Sequence, residues 1–246
     1  VDLIERAARD IINSRNAIAL TGAGISVESG IEAFRGSQGL WAKYDPEEYA
    51  TIQAFIDNPE KVWNMFREVL ETIINAKPNP AHYSLAELEN MGYLKRVITQ
   101  NVDGLHQEAG NKNVIEFHGN NRELVCLRCN SRYSMNSFNW MEVIPRCKCT
   151  SILKPAVVFF GEPIPWDALT TAQSDARKCD LIMVIGTSAV VSPAREMPVI
   201  AKQNGAKVIE INIEETSLTY TTSDYIIKGS SGIVLPGIVN KIKEIQ

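Results

Sequence analysis

The chain has 246 residues, 45% hydrophobic and 22% charged, a balance that excludes an intrinsically disordered polypeptide. Its 25 basic and 29 acidic residues give a net charge of −4, the wrong sign for a dedicated nucleic-acid binder, so direct nucleic-acid binding is not expected. No apolar run approaches the roughly 18 residues of a membrane span, so no membrane partner is expected either, and the length suits one large domain with a smaller module.

The charged, amphipathic start VDLIERAARD predicts a helix over 2–14 rather than a secretory leader, and the cytoplasm is the expected compartment. NAIAL (16–20) follows as a short buried strand and runs into TGAGISVESGIEAFRG (21–36). There Gly22 and Gly24 permit a tight turn and close approach to a phosphate, and Ser26 can cap a helix or bond that phosphate. The third glycine comes late, at Gly30, and no strand ending in an acidic residue follows about twenty residues on, so this is not the usual dehydrogenase fingerprint. Residues 31–80 predict helices and loops, clearest over 59–75, and another helix is expected over 81–91.

RVIT (96–99) is the next strand, and QNVDGLH (100–106) after it sets Gln100, Asn101 and Asp103 at a strand end. The same residues also favour a plain turn. The segment NVIEF leads to His118, an imidazole placed where a base is useful near neutral pH. Of the other two histidines, His82 reads as a helix-start residue and His106 as a brace for its loop. AVVFF (156–160) reads as a strand ending at Gly161 and Glu162, DLIMVIG (180–186) as one ending in Gly186, Thr187 and Ser188, and KVIEINI (207–213) as one carrying Asn212. Helices are expected over 167–178, 193–204 and 232–245, the last preceded by GSSG (229–232). Strands alternating with helices imply an α/β fold with a mostly parallel sheet, whose ligands sit beyond the carboxyl ends of the strands.

The polar stretch 119–153 holds four of the five cysteines, spaced Cys126-x2-Cys129-x17-Cys147-x-Cys149. Four thiolates suit tetrahedral zinc, and a complete cysteine shell leaves no open position, so the site should be structural. Cys179, at a helix-to-strand junction, is most simply a small buried apolar residue.

Together these pieces resemble the sirtuin family, the silent-information-regulator type of NAD-dependent protein deacylases. The resemblance rests on GAGIS…SGI…FRG (22–36), TQNVDGLH (99–106), HG (118–119), the four cysteines, FGE (160–162), GTS (186–188) and IN (211–212). It implies a Rossmann-like sheet with helices on both faces, formed by residues 1–30, 81–118 and 154–246, with a cofactor loop and helical insertion at 31–80 and a zinc-binding module at 119–153. The implied substrate is an acetyl-lysine protein or peptide, with NAD consumed as co-substrate and one structural zinc. The acyl oxygen attacks C1′ of NAD, nicotinamide leaves, and deacetylated lysine and O-acetyl-ADP-ribose are released, with His118 as general base. Asn101 and Asp103 correspond to residues that hold the nicotinamide amide and catalytic water, and Gln100 to a ribose contact. Gly22, Ala23, Gly24, Ser26, Phe34 and Arg35 fall on the cofactor loop, and Gly186, Thr187, Ser188, Asn212, Ile213, Glu214 and Ser231 on the adenosine and phosphate side. Val158, Phe160, Gly161 and Glu162 fall on the lysine tunnel, with Val158 offering its carbonyl to the substrate nitrogen.

Two departures bear on chemistry. Glu32 and Ala33 stand where the family commonly has proline and Asp or Thr. Members preferring acidic acyl groups carry a Tyr-x-x-Arg pair where this chain has Phe66 and Val69, so neutral acyl chains are expected. Mono-ADP-ribosyl transfer would use the same cofactor site, a hydride-transferring dehydrogenase is opposed by the broken glycine pattern, and a non-catalytic zinc ribbon would not need His118.

Overall fold

A computed structural model describes residues 2–33 and 39–246. Phe34 and Arg35, assigned above to the cofactor loop, lie outside the described residues. In chain order the strands are β1 (Ala17–Thr21), β2 (Leu94–Thr99), β3 (Val114–Glu116), β4 (Gly119–Cys126), β5 (Arg132–Ser134), β6 (Leu153–Val157), β7 (Leu181–Ile185), β8 (Lys207–Asn212) and β9 (Tyr225–Lys228). The helices are α1 (Leu3–Asn13), α2 (Leu40–Lys43), α3 (Pro46–Tyr49), α4 (Ile52–Asp57), α5 (Pro59–Asn75), α6 (Pro80–Asn90), α7 (Leu105–Ala109), α8 (Trp166–Lys178), α9 (Glu196–Gln203), α10 (Ser217–Thr221) and α11 (Ser231–Ile245).

Six strands form one parallel sheet in the order β3-β2-β1-β7-β8-β9. The chain reverses its direction of winding between β1 and β7, and that switch point opens a crevice at the carboxyl ends of the two strands. The alternation along β1 explains the layers. Ala17 and Ala19 face one core, with α1, α6 and α11. Ile18 and Leu20 face the other, with α8, α9 and α10. Helix starts follow local chemistry: the Asp2 carboxylate accepts from Ile4 N at 2.9 Å ahead of α1, and Asn58 followed by Pro59 opens α5.

The second module has its own core. Helix α5 buries Val62, Trp63, Met65, Phe66, Leu70 and Ile73 at helical spacing. Most of that stripe packs with Phe55 of α4, Leu124 and Cys126 of β4, Leu153 and Val157 of β6, and Phe159. Trp63 Nε1 donates to Leu153 O at 2.9 Å, which fixes the helix on the ribbon. The helical insertion and the cysteine ribbon are therefore one packed body.

Four of the five expected strand runs lie in the parallel sheet. AVVFF does not: β6 begins at Leu153, ends at Val157 and pairs antiparallel with β4 in a three-stranded sheet β5-β4-β6. Its apolar run reflects burial against α5, which a short hydrophobic stretch cannot distinguish from burial between two helical layers. The sheet's edge strand β9 and the short helices α7 and α10 carry too little periodicity to stand out in sequence.

Candidate active site

The floor of the crevice is built from glycines. Gly24 N donates to Gly186 O at 2.8 Å, and Gly22 N to Ile185 O at 3.0 Å, so the turn after β1 is laced to the turn after β7. A Cβ on Gly186, where φ is +58°, would meet Ile25 N at 2.4 Å, and one on Gly24 would meet Gly186 O at 2.7 Å. No side chain fits between the two turns, which is why both carry glycine.

Above this floor, four polar side chains close on one another. Ser26 Oγ donates to Asp103 Oδ2 at 2.7 Å, and Asn101 Nδ2 donates to Ser26 Oγ and to Gly22 O, each at 3.1 Å. His82 Nδ1 accepts from Asn79 N at 3.2 Å, so the ring proton sits on Nε2, which faces Ser26 Oγ at 3.4 Å. Burial lowers the His82 pKa to about 4 and keeps the ring neutral at pH 7. His82 does start its helix, as N3 of a capping box with Asn79, but its other nitrogen also belongs to the site. Burial raises the pKa of Asp103, opposed by bonds from Leu105 N, Ser26 and Asn101. Asn101 Oδ1 is buried with no hydrogen-bond partner among the described residues.

His118 is tied to the same wall. Its Nδ1 lies 3.1 Å from Gln100 O, and Gln100 Nε2 donates to Thr187 Oγ1 at 3.0 Å. Burial pulls the His118 pKa below its ordinary value, and the bond to Gln100 opposes this. At the neighbouring strand ends, Asn212 Nδ2 donates to Thr187 O at 3.0 Å and Gly229 N to Asn212 O at 3.0 Å, so GTS, Asn212 and the start of α11 with Ser231 stand side by side. Ala23 and Gly24 are half-buried at the rim, while Ser188, Ile213 and Glu214 are exposed. His106 does brace its loop: its Nε2 lies 2.9 Å from Thr21 Oγ1, which donates to Thr99 Oγ1 at 2.9 Å. Burial is the main cause lowering its pKa to about 3.

On the far side of His118, Val158 N donates to His118 O at 2.8 Å, and the half-buried Val158 is followed by buried Phe159 and exposed Phe160 and Gly161. Phe159 stacks among Phe66 (centroids 5.5 Å apart) and Phe55 (6.0 Å). Arg67 turns away, donating to Trp140 O and Asn64 Oδ1 at 2.9 Å each, and Val69 is packed into the apolar core.

The four ribbon cysteines present Sγ atoms all within 4.8 Å of one another, with Cys126–Cys149 and Cys129–Cys147 at 3.5 Å. Zinc bound at about 2.3 Å by four thiolates needs sulfur–sulfur edges of about 3.8 Å, so the donor set fits the ion. Each knuckle turns through a left-handed residue, Asn130 at φ 58° and Thr150 at φ 74°. The second lets the shorter CKC pair close, with Thr150 N on Cys147 O at 2.8 Å.

A nucleotide-binding α/β sheet with a polar crevice at its switch point and a four-cysteine ribbon define the class of protein. The Sir2 family model matches residues 22–193, and the chain belongs to that family. It is 48% identical to an NAD-dependent protein deacylase of Pyrococcus abyssi over 99% of both chains. It is 49% identical to NAD-dependent protein deacylase 2 of Archaeoglobus fulgidus, over 100% of this chain and 98% of that one. Among solved structures, a Sir2 enzyme superposes with a TM-score of 0.94 at 48% identity, over 100% of this chain and 99% of its own. A Sir2 homologue in complex with NAD superposes at 0.92 and 47% identity, over 98% and 94%.

Proposed function

We propose that the chain is an NAD-dependent protein-lysine deacetylase whose base is His118. One observation carries the reading: His118, Asn101, Asp103 and the glycine turns converge at the switch-point crevice, beside the segment that bears Val158. When bound, NAD supplies an electrophilic ribose carbon, nicotinamide as leaving group and the hydroxyl that finally carries the acyl group.

The chain's own residues do the rest. A carbonyl can only accept, so His118 keeps its proton on Nδ1 against Gln100 O and presents the Nε2 lone pair to the ribose hydroxyl. The unpartnered Asn101 Oδ1 is matched to an amide N–H, as on the nicotinamide carboxamide, and Asp103 lies beside it through Ser26. Gln100, Thr187, Asn212 and Ser231 line the ribose and adenosine side. Val158 offers its carbonyl to the substrate amide nitrogen, while Phe55, Phe66 and Phe159 keep water from the acyl group.

Phe66 and Val69 stand in α5 where a Tyr and an Arg would receive a carboxylate, Arg67 is engaged by Trp140 O and Asn64, and the Lys154 ammonium beside Phe159 is already paired with Glu162, so acetyl and other neutral acyl-lysines are the substrates. The test is mass spectrometry of an acetyl-lysine peptide with and without NAD, using wild type and His118→Ala. NAD-dependent mass loss in wild type alone supports the reading, and NAD-independent loss overturns it. Faster turnover of succinyl-lysine than of acetyl-lysine on one peptide would overturn the acyl preference.

A further inference from the structure

Among the described residues Lys154 is the buried cation that the chemistry above leaves unused. It lies on β6, is 2% exposed, and sits under the segment after β6 that bears Val158 and Phe160. Its ammonium donates to Val157 O at 2.6 Å and Pro155 O at 3.0 Å, pairs with Glu162 Oε2 at 3.0 Å, and lies 4.4 Å over the Phe159 ring. Glu162 Oε2 also accepts from Phe159 N at 2.8 Å. The acidic residue of the FGE motif thus turns inward, to the ammonium, rather than toward the tunnel mouth.

A segment from Val157 to Glu162 is therefore folded around one charge. A buried ammonium is costly unless every proton finds a partner, and here two carbonyls and a carboxylate take all three. The outer side of the same segment is held separately, with Phe160 N on Ala50 O at 2.9 Å and Ile52 N on Phe160 O at 3.0 Å. Its inner side is held by Val158 N on His118 O. Lys154 supplies the fixture from below, which neither of these provides.

We propose that Lys154, with Glu162, is a positioning residue for the acyl-lysine peptide: it sets the height and direction of the Val158 carbonyl and of Phe160. The proposal rests on the deacetylase reading. NAD contacts lie on the other side of His118, so the pair acts on peptide affinity and leaves NAD affinity alone.

The test compares wild type, Lys154→Met, Lys154→Arg and Glu162→Gln, each in zinc-loaded full-length protein. Readouts are acetyl-lysine peptide affinity by fluorescence anisotropy, KM for peptide and for NAD, kcat, and the melting temperature. Lys154→Met should weaken peptide binding and raise peptide KM about tenfold, with NAD KM and kcat within about threefold, because a mispaired carboxylate and two freed carbonyls distort the strand. Lys154→Arg, which keeps the charge, should recover most of the peptide affinity. If Lys154→Met does not melt cooperatively, Glu162→Gln decides: it leaves the two carbonyl bonds and breaks only the charge pairing, and should still raise peptide KM selectively. Peptide and NAD KM rising together, a fall in kcat at unchanged peptide affinity, or no change in Glu162→Gln would each overturn the proposal. An inactive wild type that binds no acetyl-lysine peptide would instead overturn the deacetylase reading.

Discussion

His118 and Thr187 are joined through a single residue: the Gln100 main chain faces the imidazole Nδ1 at 3.1 Å while the Gln100 side chain reaches the threonine hydroxyl at 3.0 Å. The proposed base is thus oriented by the same residue that reaches the turn after β7. Replacing His118 by Ala removes the base without disturbing that wall, because Gln100 keeps its bond to Thr187. Deacetylation should fall by about 10²- to 10⁴-fold while ADP-ribose binding, followed calorimetrically, stays within a few-fold. Lost ADP-ribose affinity in this variant would show that His118 is structural.

The glycine lacing predicts an asymmetric response to the smallest substitution. Gly186→Ala places a methyl 2.4 Å from Ile25 N at a φ of +58°, so one of the two turns must move. The cost should be about 2 kcal/mol or more of stability, with NAD KM raised. Gly205→Ala is also strained, at φ +89°, but its methyl meets nothing within 4 Å, so it should lose stability with NAD KM unchanged. Denaturant titration and NAD kinetics on the two variants separate backbone strain from disruption of the crevice.

The alternation of strands and helices made the parallel sheet legible in the sequence, and with it the place where strand-end residues gather. The strand-end residues Gly22, Gln100, Asn101, Gly186, Thr187 and Asn212 all sit where the parallel sheet opens, because that position follows from the alternation of strands and helices. AVVFF carried the pattern of a central strand yet belongs to the small sheet, since an apolar run records burial and not which layer does the burying. His82 was assigned to its helix start and missed as a neighbour of Ser26, because one imidazole has two nitrogens and sequence spacing speaks only for the nearer. Lys154 gave no signal at all. A single lysine beside a strand looks like a solvated surface residue until the carboxylate eight positions on folds back to it.

Two buried neutral histidines make the fold acid-sensitive. His82 and His106 have pKa values lowered to about 4 and about 3, against about 6.5 in an unfolded chain, with burial the main cause. Between those limits the unfolded state binds more protons, so stability is complete above about pH 6.5 and is lost as pH falls toward 4. Denaturation midpoints should drop steadily from pH 7 to pH 5, and His82→Asn should flatten that slope while weakening its helix cap. The His118 pKa is also held below the ordinary value, so kcat/KM should stay level at pH 7 and decline only on the acid side of about 6.5. An acid limb centred above pH 7 would show that the base is charged in the resting enzyme.

Metal removal should unfasten the second module before the first. Cys126 and Cys147 belong to the same core as Phe66, Phe159 and Val157, so the ribbon's order reaches the segment around Val158 through packing, while the crevice between β1 and β7 has its own cores. A chelator, or Cys129→Ser, should release one zinc per chain by elemental analysis and lower the main melting transition by about 10 °C. Peptide affinity should fall earlier in the chelation course than ADP-ribose affinity, since Val158 stands at the edge of the ribbon and Gly186 and Asn212 do not. Equal loss of both ligands at every point would mean that the two modules unfold as one.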